Sequence, residues 1–206
     1  MSNPDSSRVV EFVNKVLAAG VSGFGPYKSA TEVAEELRAE YDDPEAAIAR
    51  LIEKHRVRVA SSGFASGVAG FATLTVALPA DVTAFHMLCA RMSAAIAVLR
   101  GYDLDAEEVR TAILVSLLGR GAAKVLSDVG VEIGTAVPSL RELSKKNLLK
   151  LEMKVGRRLI RKFATKGPVR LIRGIPVVGG GVGAGMNAVA LNRIAKAAKE
   201  IFVPVN

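Results

Sequence analysis

Tryptophan is absent from these 206 residues, only 5% are aromatic, and there is a single cysteine, Cys89. One cysteine excludes an internal disulfide and a multi-cysteine zinc centre, and it suits a reducing cytoplasm. Scarce aromatics disfavour a single-stranded nucleic-acid binder, which stacks bases on rings. The apolar content comes instead from Ala, Val, Leu and Gly, a composition suited to close helix–helix packing. Alternating patterns that would mark strands are weak throughout, and Met1 to Ser7 lacks the basic-then-apolar order of an export signal. Charge is also missing from one long stretch. No charged side chain occurs over the 22 residues from Val59 to Ala80, and as far as Leu99 only Asp81 and Arg91 are charged.

Half of the residues are apolar, 23% are charged, and mean hydropathy is +0.30. Such a chain can bury a sizeable core, and its length predicts one domain over 1–206. Within it, residues 1–54 read as an N-terminal helical region and 55–206 as the core. The net charge of +8 is uneven. Residues 1–138 carry 13 Lys and Arg against 17 Asp and Glu, a balance of −4, whereas residues 139–206 carry 15 against 3, a balance of +12. A basic C-terminal surface of this kind faces an anionic partner.

Helix signals recur along the chain. Val9, Val10, Phe12, Val13, Val16 and Leu17 form one apolar stripe that Gly20 is expected to end. Ser29 with Glu32 spells a capping box, and Asp43 before Pro44 an N-cap followed by a first-turn proline. Pro79 should divide the uncharged stretch into helices near 59–76 and 80–100, the second ended by Gly101. Gly63, Gly67 and Gly70 would let two backbones approach closely, as would Gly181 and Gly185 in a last helix from Gly179 to Phe202. Asp105 with Glu108 should cap a further helix, and Ser139 with Glu142 should open a long one reaching Lys166. On that helix Leu148, Leu151, Val155, Leu159 and Phe163, widened by Leu149 and Ile160, oppose Lys146, Lys150, Lys154, Arg157, Arg158 and Arg161. The expected fold is all-α, a bundle of about seven or eight helices around a central apolar helical hairpin.

The basic stripe is the first candidate site, for an anionic phospholipid surface or an acidic protein partner. The apolar hairpin is long enough for one membrane span, yet its Gly, Ala, Ser and Thr content favours burial among other helices. The glycine run Gly179 to Gly185 has no Gly-Lys-Ser/Thr ending and no preceding strand, so it does not read as a phosphate loop. His86 and Cys89 share a helical face without further ligands, and His55 lies in the basic cluster Lys54 to Arg58, so neither a metal nor a cofactor is implied. Asp81, His86 and Arg91 stand out as polar groups in apolar sequence. A buried charge needs a partner, which predicts capping by Asp81 and pairing of Arg91 with a carboxylate.

The order Ala77-Leu78-Pro79-Ala80-Asp81, Gly101-Tyr102-Asp103-Leu104, then Pro176-Val177-Val178-Gly179-Gly180-Gly181-Val182-Gly183 and Asn187 resembles the EcsC family of bacterial proteins. The resemblance spans roughly 55–202. It implies a helical fold and an accessory role near membranes, the namesake being encoded beside an ABC transporter, and it brings no catalytic residue to transfer. The expectation is therefore a non-enzymatic, cytoplasmic protein, peripheral at the inner face of the membrane. A protein–protein adaptor and an uncharacterised hydrolase are the alternatives, and a homo-oligomer is compatible with all three.

Overall fold

The computed structural model describes the backbone of residues 6–60, 80–164 and 178–205, and the side chains of 6–59, 83–161 and 187–205. Among these residues the chain is all-α, with nine α-helices where about seven or eight were expected. They are α1 (Ser6–Ser22), α2 (Ala30–Glu40), α3 (Pro44–Ala60), α4 (Ala80–Leu99), α5 (Glu107–Ser116), α6 (Ala122–Ser127), α7 (Ala136–Arg141), α8 (Lys145–Ala164) and α9 (Val178–Ile201). Two 3-10 turns, Gly119–Gly121 and Ile133–Thr135, join α5, α6 and α7. Gly63, Gly67, Gly70 and the proposed break at Pro79 lie outside the described residues, so the first half of the expected hairpin does too.

Local chemistry fixes several boundaries. The Ser29 hydroxyl accepts from the Glu32 N–H while the Glu32 carboxylate accepts from the Ser29 N–H, closing the predicted capping box. The Asp43 carboxylate accepts from the N–H groups of Glu45 and Ala46 at the start of α3. Gly101 ends α4 at φ +88°, with the Tyr102 N–H donating back to the Ala97 carbonyl at 3.0 Å, a left-handed cap that needs no Cβ.

Other expectations are corrected. Gly20 does not end α1, which runs on to Ser22; the turn comes at Gly23, φ +81°. Gly20 instead faces Ala90 of α4, where an added Cβ would lie 2.8 Å from the Ala90 Cβ and 3.0 Å from its carbonyl carbon. Ala106, not Asp105, is the N-cap of α5, because the Asp103 carboxylate takes the Asp105 N–H in a local turn and Glu108 pairs with Arg141. The long helix expected from Ser139 is two helices. Pro138 sits in the first turn of α7, where its missing N–H leaves no bond unmade, so that helix begins before Ser139. The Ser144 carbonyl then accepts from Asn147 and Leu148, starting α8 anew.

The core is one continuous apolar cluster to which described helices from α1 to α9 contribute, including the N-terminal α1, α2 and α3. At its centre lies α4, buried without interruption from Thr83 to Ala97. It is enclosed by α1, α2, α3, α5 and α9. A helix apolar all round belongs in such a position. Of the polar side chains that α4 carries inward, Ser93 accepts from the Ser116 hydroxyl at 2.9 Å. The glycine run of the last segment lies inside the first turns of α9, which begins at Val178, so Gly179, Gly181 and Gly185 are helical.

Candidate functional site

The basic face belongs to α8, which packs on α1 and α5. Leu148, Leu151, Val155, Leu159 and Ile160 are buried as the spacing predicts. Gly156 lets α1 approach so closely that an added Cβ would lie 2.7 Å from Val9 and 2.8 Å from Val13. Leu149 departs from expectation: it is 53% exposed, standing between Lys146 and Lys150 on the outer side. The side chain of Phe163 lies outside the described residues.

The six cations do not form one uniform stripe. Lys154 and Arg158 both reach Asp128, just beyond α6, at 2.8 and 3.3 Å. The Lys154 ammonium beside Asp128 holds its carboxyl below the ordinary range. Arg157 is half-buried and donates to the Ser6 hydroxyl at 3.3 Å, while its Nε, buried, has no hydrogen-bond partner among the described residues. Lys146, Lys150 and Arg161 are exposed. Among the described residues Lys146 and Lys150 have no carboxylate partner. At the helix start Lys145 pairs with Glu107 at 2.7 Å. Glu152, the acidic residue of α8, turns inward and accepts from Thr111 at 2.8 Å; burial pushes its carboxyl up. The outward face of α8 therefore presents free ammonium groups around an exposed leucine, with the paired cations toward α6.

The isolated polar residues of α4 are a separate group. The side chain of Asp81 is outside the described residues. His86 is buried against the rings of Phe12 and Phe85, centroids 6.0 and 5.4 Å away. Cys89 is fully buried, and burial pushes its thiol up, away from a reactive thiolate. Arg91, only 1% exposed, pairs with no carboxylate among the described residues. It donates to the Lys28 carbonyl at 3.1 Å and to His55 Nε2 at 3.2 Å, and its guanidinium lies 5.1 Å from the centre of the Tyr27 ring. His55 Nδ1 in turn lies 2.9 Å from the Leu51 carbonyl, which fixes the tautomer with Nδ1 as donor and Nε2 as acceptor. Burial and then the Arg91 charge lower His55 to about 3, so it is neutral. Burial also lowers Arg91, to about 10, which leaves it charged at neutral pH. Sequence reasoning marked Arg91 by its isolation, but nothing in the sequence pointed to His55 or Tyr27 as its partners.

No group of three or more His, Cys, Asp or Glu placed to hold a metal occurs among the described residues. No helix among them is long and apolar enough to cross a membrane. What these features define is an all-α protein with an enclosed apolar helix and a basic surface helix. The chain belongs to the EcsC protein family, whose model matches residues 26–203. That match begins well before residue 55, so α2 and α3 lie inside it and α1 precedes it. No curated protein and no solved structure matches the chain.

Proposed function

We propose that the chain is a non-enzymatic accessory protein that docks reversibly on an anionic membrane surface, at its cytoplasmic face, through the outward side of α8. The observation that carries this reading is the exposed run Lys146, Leu149 and Lys150 on a helix whose other side is committed to the core. Each Lys near an anionic bilayer contributes about 1 kcal/mol. Leu149 would enter the boundary between headgroups and acyl chains, as the apolar residues of interfacial helices do. Because α4 is enclosed by its neighbours, attraction at α8 and not insertion of α4 is assigned the docking. Neutralising the pair as Lys146→Gln with Lys150→Gln should weaken binding to anionic vesicles about thirtyfold, the equivalent of about 2 kcal/mol, and leave the fold unchanged. Unchanged vesicle binding by the folded double variant would remove α8 from the account.

A protein adaptor is the second reading. Its supporting observation is that Lys154 and Arg158 already engage a protein carboxylate, Asp128, on the same helix. An acidic protein could extend that pairing to Lys146 and Lys150. Capture of a defined partner by lipid-free protein, lost in the double variant, would favour it.

A further inference from the structure

Among the described residues, no negative group balances the charge of Arg91. Its side chain is 1% exposed, and its Nε has no hydrogen-bond partner among the described residues. Its two hydrogen-bond partners among the described residues, the Lys28 carbonyl and neutral His55, carry no negative charge. Arg58, exposed at the end of α3, lies with its guanidinium 5.8 Å from the centre of the same Tyr27 ring, and it lowers Arg91 further. Two guanidinium groups thus share one aromatic ring.

The sequence offers no hidden counter-charge. Residues 61–79 and 165–177 contain neither Asp nor Glu. Asp81 is ten residues before Arg91 on α4, about 15 Å along the axis. Asp5 adjoins Ser6, whereas Tyr27 follows the opposite end of α1, a helix about 25 Å long. A buried ion without a counter-ion is costly, and a ring face offsets only part of that cost.

Two parts of the platform around the cluster are held by local bonds. The Phe24–Tyr27 turn is closed by reciprocal backbone bonds of 3.2 and 2.9 Å, and Gly23 lies so close to the Tyr27 carbonyl, 2.4 Å from an added Cβ, that only glycine fits. His55 is fixed by Leu51. The half-buried Tyr27 ring and the exposed Arg58 form the outer side.

We propose that Arg91 and Arg58, with the Tyr27 ring as a movable cover, form a binding site for a phosphate-type oxyanion. The ring turns aside, and the anion takes its place as the negative partner of Arg91, accepting from its Nε–H, with the Arg58 guanidinium beside it. Such an anion is available either free or as the headgroup of a lipid. The site is remote in composition from α8 and does not depend on the docking reading.

The test is isothermal titration calorimetry, with thermal unfolding alongside, at constant ionic strength set by sodium chloride. One arm uses inorganic phosphate and the other monomeric dihexanoyl phosphatidate. The expected result is saturable binding of at least one probe and a matching rise in Tm. In Arg58→Gln, a substitution at an exposed position, affinity should fall at least tenfold, since a charge-assisted hydrogen bond is lost. Arg91→Gln should abolish binding if circular dichroism shows it folded; Arg58→Gln carries the test if it is not. Binding of phosphatidate alone supports a headgroup site, and equal binding of both supports a free-anion site. Absence of saturable binding for both probes, or unchanged affinity in Arg58→Gln, overturns the proposal.

Discussion

The neutral His55 beside a charged Arg91 has a direct consequence for stability against pH. Unfolded, a histidine titrates at 6.5; in the folded chain this one is lowered to about 3. Between those values the unfolded chain binds the extra proton and the folded chain does not, so stability is complete above pH 6.5 and is lost as pH falls. From pH 7 to pH 5 this group alone removes about 2 kcal/mol. Denaturant unfolding of His55→Gln at both pH values should show a loss smaller than that of the parent by about that amount; an equal loss in both proteins would place the histidine elsewhere. Gly20 makes a second prediction at this scale. Alanine would favour the helix by about 1 kcal/mol, but its methyl group meets Ala90 backbone at 3.0 Å, and overpacking costs about 1–3 kcal/mol. Gly20→Ala should therefore lower Tm, and a raised Tm would contradict the close α1–α4 approach. Ser29 and Asp43 were legible because capping is settled within three residues. Gly20 was not, because a terminating glycine and a packing glycine have the same spelling, and only the neighbour at Ala90 separates them.

At the scale of elements, α8 carries the functional argument. Its buried stripe was readable from a period of 3.6, and its basic side followed. The pairing of Lys154 and Arg158 with Asp128 was not readable, since it joins positions far apart in sequence through the turn of α6 and α7. The break between α7 and α8 was missed because Ser139 and Glu142 have the spacing of a capping box, while Pro138 had already started the helix. The salt bridges change how the face should be tested. A glutamate at 154 would face Asp128 and disturb packing, whereas Lys146 and Lys150 can be changed without such a cost. Asp128→Asn should do the opposite of removing lysines. It releases two cations toward the partner and should strengthen binding to anionic vesicles several-fold, with little change in stability, as for exposed pairs. Vesicle flotation of that variant at low salt decides it; weaker binding would mean that the α6 side of α8 does not approach the membrane.

For the whole molecule, the enclosure of α4 separates two ideas that the hydropathy pattern had joined. An uncharged run could enter a bilayer or form the centre of a bundle; in the described residues its second half is the bundle's centre, surrounded by five helices. The length and polarity of α4 could not decide this, because the answer rests on which faces its neighbours offer. The uneven charge, in contrast, was evident from composition, and it survives folding as an exposed basic helix on an otherwise shielded core. That arrangement predicts attachment governed by screening, since exposed charges separated by more than about 10 Å interact weakly at 0.1 M salt. The most direct measurement is co-sedimentation of the full chain with anionic and with neutral vesicles, each at low and high salt. The account predicts binding to anionic vesicles at low salt, its release at high salt, and none to neutral vesicles. Binding that persists at high salt, or no binding to anionic vesicles at low salt, would contradict it.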